Sequence, residues 1–144
     1  MATRLAAEVI ERDHIVAVAP DASVQDAVRS MAKHRCGSVV VVDGHRLVGI
    51  FTERDLATRV VAEALDPRTT EVRAVMTRDP ETIDAEAPVA DAVRRMDECS
   101  YRYMPVMRED RCIGVISGKH LPYGVIASMA DELVRRHDLT ERLR

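Results

Sequence analysis

At 144 residues and a net charge of −3, the chain has the size of one compact unit or two very small ones, and no basic run offers itself to a nucleic acid. Hydrophobic residues make up 47% and charged residues 31%, as in an ordinary soluble globular protein. Aromatics reach only 3%, with Phe51 the one phenylalanine and no tryptophan, so the core must be aliphatic.

Leu5, Val9 and Ile10 suggest a short helix near the N-terminus. Ile15 to Val18 reads as a strand closed by Pro20. Ser23 then caps a helix with Val24, Ala27, Val28 and Met31 on one face, and Gly37 is expected to end it. Val39 to Val42 is a β-branched run, apolar enough to be a buried strand. Asp43-Gly44 signals a hairpin, Leu47 to Phe51 returns, and Thr52 opens a second helix reaching about residue 64. Asp66-Pro67 begins a link that runs to Met76.

From Thr82 the series starts again. Pro88 stands at a helix start, Met104 to Met107 and Cys112 to Ile116 are strands, and Ser117 opens a last helical region. Leu121-Pro122-Tyr123-Gly124 is expected to break it before helical spacing resumes over 125–137.

The two series are copies. Shifted by 65 positions, the sequence matches itself without a gap over about forty residues. Identical pairs include Ala22/Ala87, Val24/Val89, Asp26/Asp91, Met31/Met96, Val41/Val106, Arg46/Arg111 and Gly49/Gly114. The expected division is an N-terminal helix in 1–12, a first repeat over 13–66, a linker over 67–76, a second repeat over 77–127 and a C-terminal helix in 128–144. The fold class is α/β (α+β), each copy running β-α-β-β-α. Units this small gain stability by pairing, so the copies are expected to pack through their sheets about a pseudo-twofold axis and to leave clefts between them.

The segment Gly49-Ile50-Phe51-Thr52-Glu53-Arg54-Asp55 carries the most chemistry. A strand ends and a helix begins, and first-turn N–H groups with the helix dipole favour an anion such as phosphate. Thr52 adds a hydroxyl, and Asp55, one turn in, can accept two hydrogen bonds from a sugar diol. Thr-x-x-Asp is also close to a capping box, as Ser23-x-x-Asp26 is, and local spacing alone favours that plainer role.

The duplication, the element order and Gly49 to Asp55 resemble a tandem pair of CBS domains, named after cystathionine β-synthase. The linker end Val72-Arg73-Ala74-Val75-Met76-Thr77 and Arg102-Tyr103-Met104-Pro105-Val106 are similar to that family too, and the likeness covers roughly residues 13–127. The resemblance implies that Thr52 and Asp55 hold ribose and phosphate of an adenosine compound, with Arg54 beside them, which reverses the weighing against a capping box. It implies that Gly37 and Ser38 line the same cleft, with Ile15, Val16, Ala17 and Ile50 as candidates to face adenine. Arg102 and Tyr103 have the polar character that the family shows before its Pro-Val strand. Arg102 is read either as reaching a phosphate across the interface or as a surface arginine.

The second copy departs from the pattern: Gly114 to His120 keeps Ser117 but puts His120 where the acid stands, with Lys119 before it. A histidine cannot accept two diol hydrogen bonds as a carboxylate does, so this cleft is expected to be empty, weak or altered. His14, His34, His45, His120 and His137 show no metal-ligand spacing. Arg135, Arg136, Arg142 and Arg144 alternate with acids like a solvated helix end.

The expected function is therefore a sensor of AMP, ADP or ATP, with NAD or S-adenosylmethionine as other adenosine ligands, acting on a separate effector protein. A non-binding scaffold is the alternative. No nucleophile with a paired base suggests an enzyme. The resemblance implies a homodimer. Cys36, Cys99 and Cys112 lack CxxC spacing, and no signal-peptide core or roughly 20-residue apolar span is present, so a cytoplasmic protein free of membrane is expected.

Overall fold

The computed structural model describes residues 4–10 and 14–120. The expectations for residues 121–144, including the break at Leu121 to Gly124, the C-terminal helix and its arginines, lie outside the described residues, as does residue 13.

Two sheets form. The first is ordered β1 (Ala17–Val18), β2 (Ser38–Asp43), β3 (Arg46–Thr52) and β4 (Thr77–Arg78). The second is ordered β5 (Ile83–Asp84), β6 (Tyr103–Arg108) and β7 (Arg111–Ser117). In each, the first strand pairs parallel with the second, and the second and third form an antiparallel hairpin. The duplication extends to irregularities: the register shifts at Val41/Val42 in one hairpin and at Val106/Met107 in the other, 65 residues apart. Gly44 takes φ 63° in the first hairpin turn, as Asp43-Gly44 implied, and Glu109 takes φ 51° in the second.

Helix α1 (Ala6–Val9) precedes the first sheet and α2 (Val24–His34) follows β1. As expected, the Ser23 hydroxyl accepts the Asp26 N–H at 3.0 Å. Gly37 does not end α2: the left-handed residue is Arg35 at φ 52°, whose N–H returns to the Met31 and Ala32 carbonyls. Ser100, its counterpart, closes α4 (Val89–Cys99) at φ 57°. Three residues, Glu53–Asp55, form α3, and the expected helix continues as a π-helix over Leu56–Val61.

Strand alternation divides each sheet between a core face and a seam face. Val39, Val41 and Phe51 join Val24, Ala27, Met31 and Val60 in the first core; Met104, Val106 and Ile116 join Ala92 and Met96 in the second. Val40, Ile50 and Pro105 are buried too, on strands whose neighbouring residues fill those cores. The halves also exchange cover. Val72, Val75 and Met76 of the linker close the first core, whereas Ala6 and Ile10 from the start of the chain close the second. Ile10 lies so near Gly114 that a Cβ there would meet its Cδ1 at 2.6 Å. β4, which the repeat pattern assigns to the second half, joins the first sheet beside β3.

Candidate functional site

Buried strand β3 delivers Thr52 to the start of α3 in an extended conformation, φ −119°, ψ 166°. Thr52 Oγ1 accepts the Asp55 N–H at 3.2 Å, and Asp55 Oδ2 accepts both the Thr52 N–H at 3.0 Å and its hydroxyl at 3.1 Å. The capping box is therefore real. It leaves Oδ1 with Arg59, whose Nε lies 3.5 Å away, and the whole residue is only 7% exposed. A buried carboxylate with one oxygen saturated and the other held by a single cation keeps acceptor capacity to offer a ligand.

That carboxylate stands in the wall of a cavity of about 160 Å³ at the seam. Ile50, Thr52, Glu53, Arg54 and Asp55 come from the first half; Thr77, Pro80 and Glu81 from the linker end and the approach to β5; Ser100, Tyr101, Arg102 and Tyr103 from the turn into β6. Arg54 and Arg102 supply two cations against the carboxylates of Glu53, Asp55 and Glu81. A larger open groove of about 520 Å³ lies between the hairpin tips, lined by residues such as His45, Arg46, Asp79 and Asp110. It contains no part of the segment from Gly49 to Asp55.

A side-chain hydrogen bond crosses the seam: the Tyr103 hydroxyl donates to Glu53 Oε1 at 3.2 Å. Gly37 permits it. A Cβ there would collide with the Tyr103 hydroxyl and stand 2.9 Å from Glu53 Oε1. Its carbonyl accepts the Glu53 N–H at 3.0 Å. Burial first, then the charge and hydrogen bond of Glu53, hold the Tyr103 phenol above its ordinary range. The folded state thus keeps that proton longer than the unfolded chain. The contribution is complete below about pH 10, where a free tyrosine begins to ionise, and falls away at higher pH. Urea midpoints at about pH 9 and about pH 11 check this: the alkaline decline should be shallower in Tyr103→Phe than in the natural protein.

Thr52, Arg54, Asp55, Arg102 and Tyr103 are thus brought together as expected, whereas Ile15, Ala17, Gly37 and Ser38 do not line the cavity of Asp55. Ile15 and Ala17 are exposed, and Ser38 is buried, its carbonyl accepting the Cys36 thiol. The reason is the seam's symmetry. With the 65-residue offset, Ile15, Val16, Gly37 and Ser38 correspond to Pro80, Glu81, Arg102 and Tyr103, which do form the wall. The motif of the first half faces the strand start of the second. Glu53, Thr77, Glu81, Ser100 and Tyr101 were not anticipated, and that same offset is the signal pointing to the segments around them.

In the second half, Ser117 starts a short 3-10 turn, Gly118–His120. His120 Nδ1 accepts the Ser117 N–H at 3.0 Å and lies 3.4 Å from its hydroxyl, taking the capping position that Asp55 holds in the first half. Lys119 is exposed beside it. Ser117, Lys119 and His120 do not border the Asp55 cavity. Among the described residues no group of three His, Cys, Asp or Glu is placed to hold a metal, and no helix is long and apolar enough to cross a membrane.

The family model of the CBS domain matches residues 6–62 and again 72–121. A CBS domain-containing protein of Arabidopsis thaliana is 35% identical over 108 residues, 74% of this chain and 20% of that protein. The chain spans about a fifth of the length of several such plant relatives. A solved protein with CBS domains from Burkholderia ambifaria is 30% identical, with a TM-score of 0.78 over 86% of this chain and 95% of that one. A CBS domain protein from Pyrobaculum aerophilum, complexed with AMP, is 24% identical, with a TM-score of 0.76 over 89% of this chain and 99% of that one.

Proposed function

The chain belongs to the CBS domain family, and from that premise we propose that it is a regulatory sensor whose seam cavity grips the ribose of an adenine nucleotide through Asp55. One observation carries the reading: a nearly buried carboxylate, with Oδ1 held by Arg59 alone among the described residues, borders a cavity that both halves build. The capping box and the sugar contact use different oxygens, so one residue serves both. Arg54 and Arg102 are the phosphate partners, and Ile50 is the apolar surface for the base. AMP, held by the Pyrobaculum relative, is the first ligand to try, followed by ADP and ATP, then NAD and S-adenosylmethionine.

The cavity is smaller than the roughly 300 Å³ at which small-molecule clefts begin, so a nucleotide must widen it. The Tyr103–Glu53 hydrogen bond is the contact that yields. Movement between the halves is then the signal, read by a separate effector protein in the cytoplasm, with the chain acting as a homodimer and catalysing nothing. Ser117, Lys119 and His120 belong to a second, separate cleft. Histidine in place of the acid makes that cleft the weaker one.

The small cavity also favours a second reading, a scaffold whose seam stays shut. Thermal unfolding in the presence of each ligand separates the two. A nucleotide at one hundred times its dissociation constant adds about 2.7 kcal/mol and raises the midpoint by several degrees. No rise with any of the five compounds rejects the sensor.

A further inference from the structure

Arg59 joins the Asp55 carboxylate to the linker between the halves. Its Nε lies 3.5 Å from Asp55 Oδ1, while Nη1 donates to the Met76 carbonyl at 2.8 Å and to that of Val75 at 3.4 Å. An arginine four residues after an acid ordinarily forms a surface helix pair of little consequence. Here the guanidinium also engages two main-chain carbonyls beyond its own helix, spreading its rigid fork of donors over both sites.

The backbone around Arg59 is unusual. Residues Leu56–Val61 are π-helical, with the Ala62 N–H on the Ala57 carbonyl and the Leu65 N–H on that of Val60. Such turns are rare and concentrate at functional sites. Leu56-Ala57-Thr58-Arg59-Val60-Val61 contains no glycine or proline to force the widening. Tertiary ties hold it instead: Val60 lies in the first core, and Arg59 reaches the linker.

The carbonyls it holds directly precede the cavity. Thr77 lines the wall, and Thr77–Arg78 pair as β4 with Gly49 and Ile50 of β3. Met76 packs so closely on Gly49 that a Cβ there would meet Met76 Cγ at 2.9 Å and the Thr77 carbonyl at 3.0 Å. Five residues beyond β4, β5 begins the second sheet. A change at Oδ1 therefore has a short, polar and tightly packed route to the joint between the halves.

We propose that Arg59 is a positioning residue that couples the Asp55 carboxylate to the linker, so that occupation of Oδ1 is transmitted to residues 75–78. Its first test needs no ligand. Hydrogen exchange is followed at the Met76 and Asp79 amides, which bond to the Val72 and Val48 carbonyls. Arg59→Met should speed their exchange about fivefold, Asp55→Asn should speed it less, and the double variant should match Arg59→Met alone. Arg59→Lys keeps the charge without the fork and should remain fast. Additive effects of the two substitutions, or restoration by Arg59→Lys, overturn the coupling.

The second arm rests on the nucleotide reading. AMP should slow these amides in the natural protein and leave them unchanged when bound to Arg59→Met. AMP that slows them equally in both refutes the coupling while leaving the sensor intact. AMP that fails to bind the natural protein refutes the sensor, and the ligand-free comparison still decides the role of Arg59.

Discussion

Asp55→Ala is expected to weaken nucleotide binding about 10- to 100-fold, the scale of losing hydrogen bonds to a charged acceptor worth about 1.5–3 kcal/mol. The substitution removes Oδ1 from the cavity wall and leaves Arg59 without its carboxylate. It also removes the Oδ2 acceptor from the Thr52 N–H and hydroxyl, so some stability is lost as well. Ser23→Ala separates these consequences. Ser23 caps α2 through the Asp26 N–H and lies outside the cavity wall, so its loss costs about 1 kcal/mol of stability and leaves affinity alone. Calorimetric titration of both variants, alongside their urea midpoints, checks the pair. Equal affinity in Asp55→Ala and the natural protein removes the sugar contact from the account.

Phe51→Ala is expected to have the largest effect on stability, a loss of about 3–5 kcal/mol. Phe51 is the one phenylalanine in the chain, and it is fully buried. Its neighbours in that core include Val24, Met31, Val39, Val41 and Val72. These side chains sit on α2, β2 and the linker, and cannot all collapse into one ring-sized void. A small domain holds only about 5–15 kcal/mol in reserve, so the variant should be partly unfolded in modest denaturant. Its counterpart Ile116, also fully buried, offers the comparison: Ile116→Ala should cost about 2–5 kcal/mol, with no ring to remove. A shift below about 1 kcal/mol for Phe51→Ala contradicts the packing described.

Much of this architecture was legible because duplication repeats each local signal. Ser23, the run Val39 to Val42 and Asp43-Gly44 all mark features that the structure contains, and the offset places their partners. Helix ends were less legible. Gly37 looked like a terminator, but Arg35 and Ser100 accept the left-handed conformation, and the missing Cβ of Gly37 instead makes room for Tyr103. The π-helix after Asp55 was invisible because its cause is tertiary, the reach of Arg59 to carbonyls of the linker.

At the site, Thr52, Asp55, Arg54, Arg102 and Tyr103 were readable from the motif and its family likeness. Ile15, Ala17, Gly37 and Ser38, named with them, do not line the cavity, although the Gly37 carbonyl accepts the Glu53 N–H at its edge. Local pattern identifies the kind of position, whereas only the packing of one half on the other says which motif it faces. The capping box was legible too, and it leaves room for the proposed ligand contact: Thr52 bonds one carboxylate oxygen, and the other is held by Arg59.

A crystal structure of the protein grown with AMP tests the central claim most directly. The account predicts nucleotide density between the halves, with the ribose hydroxyls about 2.5–2.7 Å from Asp55 Oδ1 and Tyr103 displaced from Glu53. An unliganded, closed seam at saturating AMP, or a nucleotide bound with its sugar away from Asp55, contradicts it.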